Sequence, residues 1–218
     1  MDCQAHPEGY AEIKKLGVSL VPALIVGDRI AHGWNPPAYA ALVGVTLDTA
    51  TKLPPRALGQ RLDRILESSE RLLRMTPTAH FGWKPPERDR TIGNLGFHVF
   101  RLSLAFIDGA DRGEFPESWL QAQIPADLDD GPAVARYGAL VRARLAGWFE
   151  GAGDQDFTRI VKVYYGPQPA HDLLERTTWH AAQHLRQLFH LADRQGIATP
   201  GPCPTELFEG LPLPNEMW

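Results

Sequence analysis

The chain has 218 residues, a formal net charge of −4, and eight His against two Cys. With 22% charged and 44% hydrophobic residues it has an ordinary globular composition, and no run approaches the roughly 18 to 20 apolar residues of a membrane span. The mildly acidic balance disfavours nucleic acid or an anionic membrane held by bulk charge, and Cys3 and Cys203 cannot build a thiolate cluster, so metal chemistry falls to His and carboxylates.

The opening residues, Met1-Asp2-Cys3-Gln4, lack the basic and apolar regions of a secretory signal, so a cytoplasmic location is expected. Residues 7–16 read as a short helix. Val21-Pro22 leads into the apolar run Ala23-Leu24-Ile25-Val26, then a turn at Gly27-Asp28 and Arg29-Ile30. Asn35-Pro36 opens a helix that reaches Val43. This module is expected to span 1–47, with a linker over 48–55 where Leu53-Pro54-Pro55 precedes a helix start.

From residue 56 to 197 the apolar residues recur at steps of three and four. Leu58, Leu62, Ile65, Ser69 and Leu72 mark one helix; Ile92, Leu95, Val99, Leu102 and Phe106 a second. Val134, Tyr137, Val141, Leu145 and Trp148 mark a third, started by Pro132 and closed at Gly151. Leu173, Thr177, His180, His184, Leu188 and Leu191 mark a fourth. Between the third and fourth, Phe157 to Tyr165 is β-branched and aromatic, a short strand or a buried connection. The spacing predicts a mainly α protein: a four-helix bundle behind a small α/β module. The last segment, 198–218, carries five prolines from Pro200 to Pro214 and is expected to run extended over the surface.

The chemistry concentrates on the fourth helix. His180 and His184 stand at i and i+4, on one face, and that face is the apolar one. Two imidazoles turned into a core need partners: either a hydrogen-bonded core pair or a shared divalent cation. His98, on the second stripe, offers a third nitrogen, and three imidazoles with an open position describe a catalytic zinc-type site. Gly96 and Ala181-Ala182 are expected to leave room for it. Of the other histidines, His6, His32, His80 and His190 are expected at the surface or in packing, and His171 is a weaker pocket candidate.

The residues Phe81-Gly-Trp-Lys-Pro-Pro, Thr91-Ile-Gly-Asn-Leu-Gly-Phe-His98 and His180-Ala-Ala-Gln-His184-Leu-Arg-Gln187-Leu together resemble the DinB/YfiT-like family over about residues 56 to 196. The resemblance implies a four-helix bundle, commonly a homodimer, holding a divalent metal on His98, His180 and His184, with zinc and nickel both occurring in the family. It also implies small-molecule substrates and, in relatives such as bacillithiol S-transferases and mycothiol-dependent maleylpyruvate isomerase, a low-molecular-weight thiol cosubstrate.

The leading module is similar to the second half of a glutaredoxin or thioredoxin fold, where a Val-Pro with cis-proline precedes a strand, a turn and a last helix. It lacks Cys-x-x-Cys, so redox catalysis is not expected. Val21 and Pro22 could hold a glutathione-type thiol, or the module serves packing or dimerisation alone. Asn94, Gln183 and Gln187 are candidates for fixing imidazole tautomers. Trp83, Tyr164, Tyr165 and Trp179 are candidates for the pocket wall, and Arg101 or Arg186 for an anionic substrate. The functions in view are a metal-dependent thiol S-transferase or isomerase, a metal-dependent hydrolase on the same site, and a non-catalytic metal-binding stress-response or scaffold protein.

Overall fold

A computed structural model describes residues 7–18, 22–33, 35–46 and 52–217, and the chain divides into two compact units at Thr51/Lys52. In the first, helix α1 (Pro7–Lys15) is followed by strands β1 (Ala23–Val26) and β2 (Arg29–His32) and helix α2 (Pro36–Val43). The strands form an antiparallel hairpin with Val26 opposite Arg29. A two-residue turn must bend the chain sharply, and Gly27, at φ +60°, supplies the left-handed position at its start. Asn35 caps α2 by accepting from the Ala38 N–H, 3.2 Å, and two prolines fill the first turn, where no amide partner is needed. The Tyr39 hydroxyl reaches the carbonyls of Pro22 (2.8 Å) and Gly33 (2.5 Å), tying α2 to the hairpin.

The second unit is built on four long helices: α3 (Pro55–Met75), α5 (Ile92–Arg112), α6 (Gly131–Gly151) and α8 (Ala170–Arg194). The apolar stripes set their packing. Leu58, Leu62, Ile65 and Leu72 of α3, Leu95, Val99 and Phe106 of α5, Val134, Val141 and Leu145 of α6, and Leu173, Leu188 and Leu191 of α8 are all buried. Helix α3 packs on α6 and α8, and so does α5, so α3 and α5 face each other only across the diagonal. Short elements fill the connections: α4 (Thr78–Phe81), a two-residue strand β3 (Glu114–Phe115), α7 (Asp154–Thr158), β4 (Ile160–Val163) and β5 (Gly166–Pro169). Strand β4 pairs parallel to β3 and antiparallel to β5. The stretch 157–165 is therefore the end of a helix, a strand and a turn, because only Ile160–Val163 finds ladder partners.

The proline-rich segment departs from a purely extended path. Its prolines leave residues 205–211 free, and Thr205–Phe208 winds into a 3-10 turn that buries Leu207. Pro204 stands just ahead of that turn, where its missing N–H costs nothing. Gly96 also serves differently from expectation: a Cβ there would lie 2.7 Å from the Leu73 methyl carbons, so the glycine admits α3. Among the described residues no helix is long and apolar enough to cross a membrane.

Candidate metal centre

Helix α5 carries His98 and helix α8 carries His180 and His184, and the packing of the two brings one ring nitrogen of each within 4.8 Å of the others. The rings meet edge to face, with centroids 4.2 Å apart for His180–His184, 5.1 Å for His98–His184 and 5.3 Å for His98–His180. His98 is buried and the other two residues are half-buried.

Hydrogen bonding fixes the protonation of His184. The Met217 carbonyl can only accept, so the Gln187 amide nitrogen, 2.6 Å away, donates to it. The Gln187 carbonyl oxygen is thereby turned to His184 Nδ1, 2.6 Å away, and accepts its proton. His184 Nε2 must then be a bare lone pair, and it stands 3.1 Å from Nε2 of His180. Two lone pairs at that distance repel unless His180 places a proton between them or a cation stands at their focus.

All three rings are held neutral. Burial pushes the His98 and His180 pKa values well below the ordinary range, and it lowers His184 to about 4. The rings reinforce one another: His184 disfavours a charge on both His98 and His180. The Gln187 hydrogen bond opposes burial at His184, and the charged groups that act on the rings are arginines: Arg90 on all three, Arg176 on His98 and His180, and Arg88 on His184. Three neutral imidazoles with converging nitrogens fit the donor set of a divalent transition metal with an open position. Of the three, His184 also lines a cavity of about 470 Å³ walled by the 85–90 loop, Leu95, Gln183, Gln187, Leu191 and Pro214.

The tail is strapped over this region. Gln183 donates to the Glu216 and Met217 carbonyls, at 3.2 and 2.9 Å, while Arg186 donates to Pro214 (3.0 Å) and Glu216 and to the Gln183 side chain (2.6 Å). Of the residues read as candidates, Gln187 touches a triad ring, Gln183 and Arg186 hold the tail, and Trp179 packs beside His180 with ring centroids 6.1 Å apart.

Others stand elsewhere. The Asn94 backbone N–H is taken by the Thr91 cap (3.1 Å), and among the described residues its carboxamide makes no hydrogen bond. Arg101 pairs with Asp108 at 3.5 Å and lies over the Trp119 ring, so it is already neutralised. Trp83 stacks under Arg194. Tyr164 and Tyr165 form the β4–β5 turn and enclose Arg176. His171 Nε2 donates to the Leu53 carbonyl, 2.8 Å, and lines a separate cavity. Val21 and His6 lie outside the described residues.

Two residues of the site were not among the candidates. Arg176 precedes His180 by four residues, a spacing that puts it on the histidine face. Arg90 lies in an aperiodic loop and carries no such signal.

A four-helix bundle with a three-histidine cluster between two of its helices defines the class. The chain belongs to the DinB superfamily, whose family model matches residues 61–188, more than half its length. Two crystal structures of DinB-like proteins resemble it: YjoA from Bacillus subtilis (TM-score 0.53, 18% identity, covering 66% of this chain and 94% of that one) and a protein from Bacillus cereus (0.55, 17%, 66% and 95%). A third, YfiT from Bacillus subtilis, is described as a probable metal-dependent hydrolase with an unusual four-helix bundle topology (0.50, 16%, 70% and 94%). None of the curated proteins matches the sequence.

Proposed function

We propose that this protein is a divalent-metal-dependent enzyme acting on a small molecule, with hydrolysis the reaction its site supports best. His98, His180 and His184 would hold one ion, zinc and nickel being among the ions suited to three imidazoles. The observation that carries this reading is the convergence of three neutral ring nitrogens within 4.8 Å beside an open cavity. Such an ion supplies Lewis acidity, which polarises a substrate oxygen and makes a nucleophile available near neutral pH.

The chain's own residues do the rest. Gln187 holds the His184 ring with its Nε2 lone pair facing the other two histidines, and burial keeps all three rings unprotonated at neutral pH. Leu95, Leu191 and Pro85 give the cavity an apolar wall, and the tail covers one side of it. Hydrolysis is preferred to the thiol transfer or isomerisation raised by the sequence for two reasons. The similar structure of YfiT is described as a probable metal-dependent hydrolase. The Pro22 carbonyl, the described part of the Val21-Pro22 edge, is already engaged by the Gly33 N–H at 2.9 Å and by Tyr39.

Elemental analysis of the purified protein and of His180→Ala tests the assignment. We expect about one equivalent of a divalent ion in the parent, a fall to under about a tenth of that in the variant, and unchanged helical circular dichroism. Metal undiminished in the variant would refute the ligand set. A chelator-reversible hydrolysis screen over small esters, amides and phosphate esters then tests the reaction class; turnover surviving complete metal removal counts against it.

A further inference from the structure

We propose, resting on the metal reading above, that the site selects an anionic substrate: a small molecule whose carboxylate or phosphate meets Arg90 while its reacting group sits at the three histidines. Arg90 lines the same cavity as His184 and Gln187. It is half-buried, and among the described residues it has neither an ion pair nor a hydrogen bond. The neighbouring cations are occupied. Arg194 is held by both oxygens of Glu87 at 3.0 Å, Lys84 by Asp89 at 2.5 Å, and Arg186 by the tail carbonyls. Even Asp89, the carboxylate of the cavity wall, is committed to Lys84. Partial burial disfavours its charge, so a guanidinium with no counter-ion gains from a ligand that supplies the missing charge.

A second cation near the triad, outside the cavity, has the same sign. Arg176 is buried, with 8% of its surface exposed. It donates to the Tyr164 hydroxyl at 3.1 Å and is enclosed by the rings of Phe115, Tyr164 and Tyr165. It pairs with no carboxylate among the described residues, and its Nε is unpartnered. Arg176 does not line the cavity; it acts through its field, and the direct contact falls to Arg90. No carboxylate acts on any of the three rings, whereas arginines act on all of them. A dication placed there adds to an already positive environment, which an anionic substrate would offset. Carboxylate and phosphate share the planar or forked acceptor pattern that a guanidinium matches.

The test uses the full chain loaded with cobalt(II), whose visible bands report ligands reaching the ion. Two hydroxamates of equal length are compared: succinic monohydroxamate, with a terminal carboxylate, and its neutral terminal carboxamide counterpart. The anionic probe is expected to bind about tenfold or more tightly, the worth of a charge-assisted hydrogen bond. Arg90→Gln should abolish that gap and leave the cobalt bands and the neutral probe's affinity intact, while Arg90→Lys restores part of it. Equal affinities in the parent protein, or a gap that survives Arg90→Gln, overturn the proposal with the metal reading untouched. Failure of the parent to develop cobalt bands overturns the metal reading and this one with it. A phosphate-ended hydroxamate run in parallel distinguishes the two anions: whichever shows the larger Arg90-dependent gap is the substrate's charged group.

Discussion

Replacing Gln187 by Met removes two hydrogen bonds and leaves the volume nearly unchanged. One is the bond from His184 Nδ1, at 2.6 Å, and the other is the bond to the Met217 carbonyl, also at 2.6 Å. Without the first, His184 is free to exchange tautomers and turn its proton toward the triad. Outer partners of metal-binding histidines are worth about 10- to 100-fold in metal affinity, so the dissociation constant should rise by that factor, equivalent to about 1.4 to 2.8 kcal/mol. Competition against a chromophoric chelator measures it directly.

Two controls separate orientation of the ring from attachment of the tail. Gln187→Glu keeps an acceptor for Nδ1 but loses the donor to Met217, and should bind metal nearly as the parent does. Deleting residues 214–218 removes the tail acceptor and leaves the Gln187–His184 bond, and should cost less than about threefold. In Gln187→Met itself the tail remains tied through Gln183 and Arg186, which resistance to limited proteolysis would report. The reasoning fails if Gln187→Met changes metal affinity less than threefold, or if the truncation weakens binding as much as the substitution does.

The metal-free protein should lose stability in mild acid. Folded His184 titrates near 4 and an unfolded histidine near 6.5, so between those values the unfolded chain binds more protons; stability is full above about pH 6.5 and lost as pH falls toward 4, by up to about 3 kcal/mol for His184 alone. Urea unfolding at pH 7.5 and pH 5 checks this, and an unchanged slope in His184→Leu would remove its basis. At the junction of α3 and α6, Gly131→Ala drives a methyl into the Leu73 and Thr76 carbonyls, backbone atoms that cannot swing aside. A loss of about 2 to 3 kcal/mol is expected, against no loss for Gly147→Ala, whose added carbon meets nothing within 4 Å; equal stabilities would show that α6 shifts freely.

The long helices were legible because burial repeats with their period. Leu58, Leu62, Ile65 and Leu72 alone place α3, and each of the other stripes works in the same way. Elements of two to five residues have no period to read. Strand β3 exists because Glu114 and Phe115 meet Lys162 and Val163, partners nearly fifty positions away, and α4 and α7 are single turns held by what surrounds them. Packing partners are equally silent in a single chain. Gly96 reads as space for a neighbouring histidine, yet its room is taken by Leu73 of a different helix.

In the site, legibility follows the same division. His180, His184, Gln187 and Arg176 share one helix, so their common face follows from spacing; in sequence alone, however, a cation on an apolar face resembles a misplaced surface residue, and only the fold sets Phe115, Tyr164 and Tyr165 around Arg176. Arg101 and Asp108 are seven residues apart, two turns of α5, and that spacing marks their pairing as intrahelical; a substrate anion would have to compete with Asp108 for Arg101. Arg90 is the opposite case. Its loop holds Pro85 and Pro86 and no periodic residue, and its place beside His184 depends on how α5 and α8 cross. What distinguishes it is its charge balance: Glu87, Asp89 and Asp108 each neutralise some other cation, and Arg90 is left facing a cavity and three neutral imidazoles. The histidines alone mark the candidate metal site, whereas the proposed charge of the substrate rests on this remainder, which only the folded arrangement of acids and bases exposes.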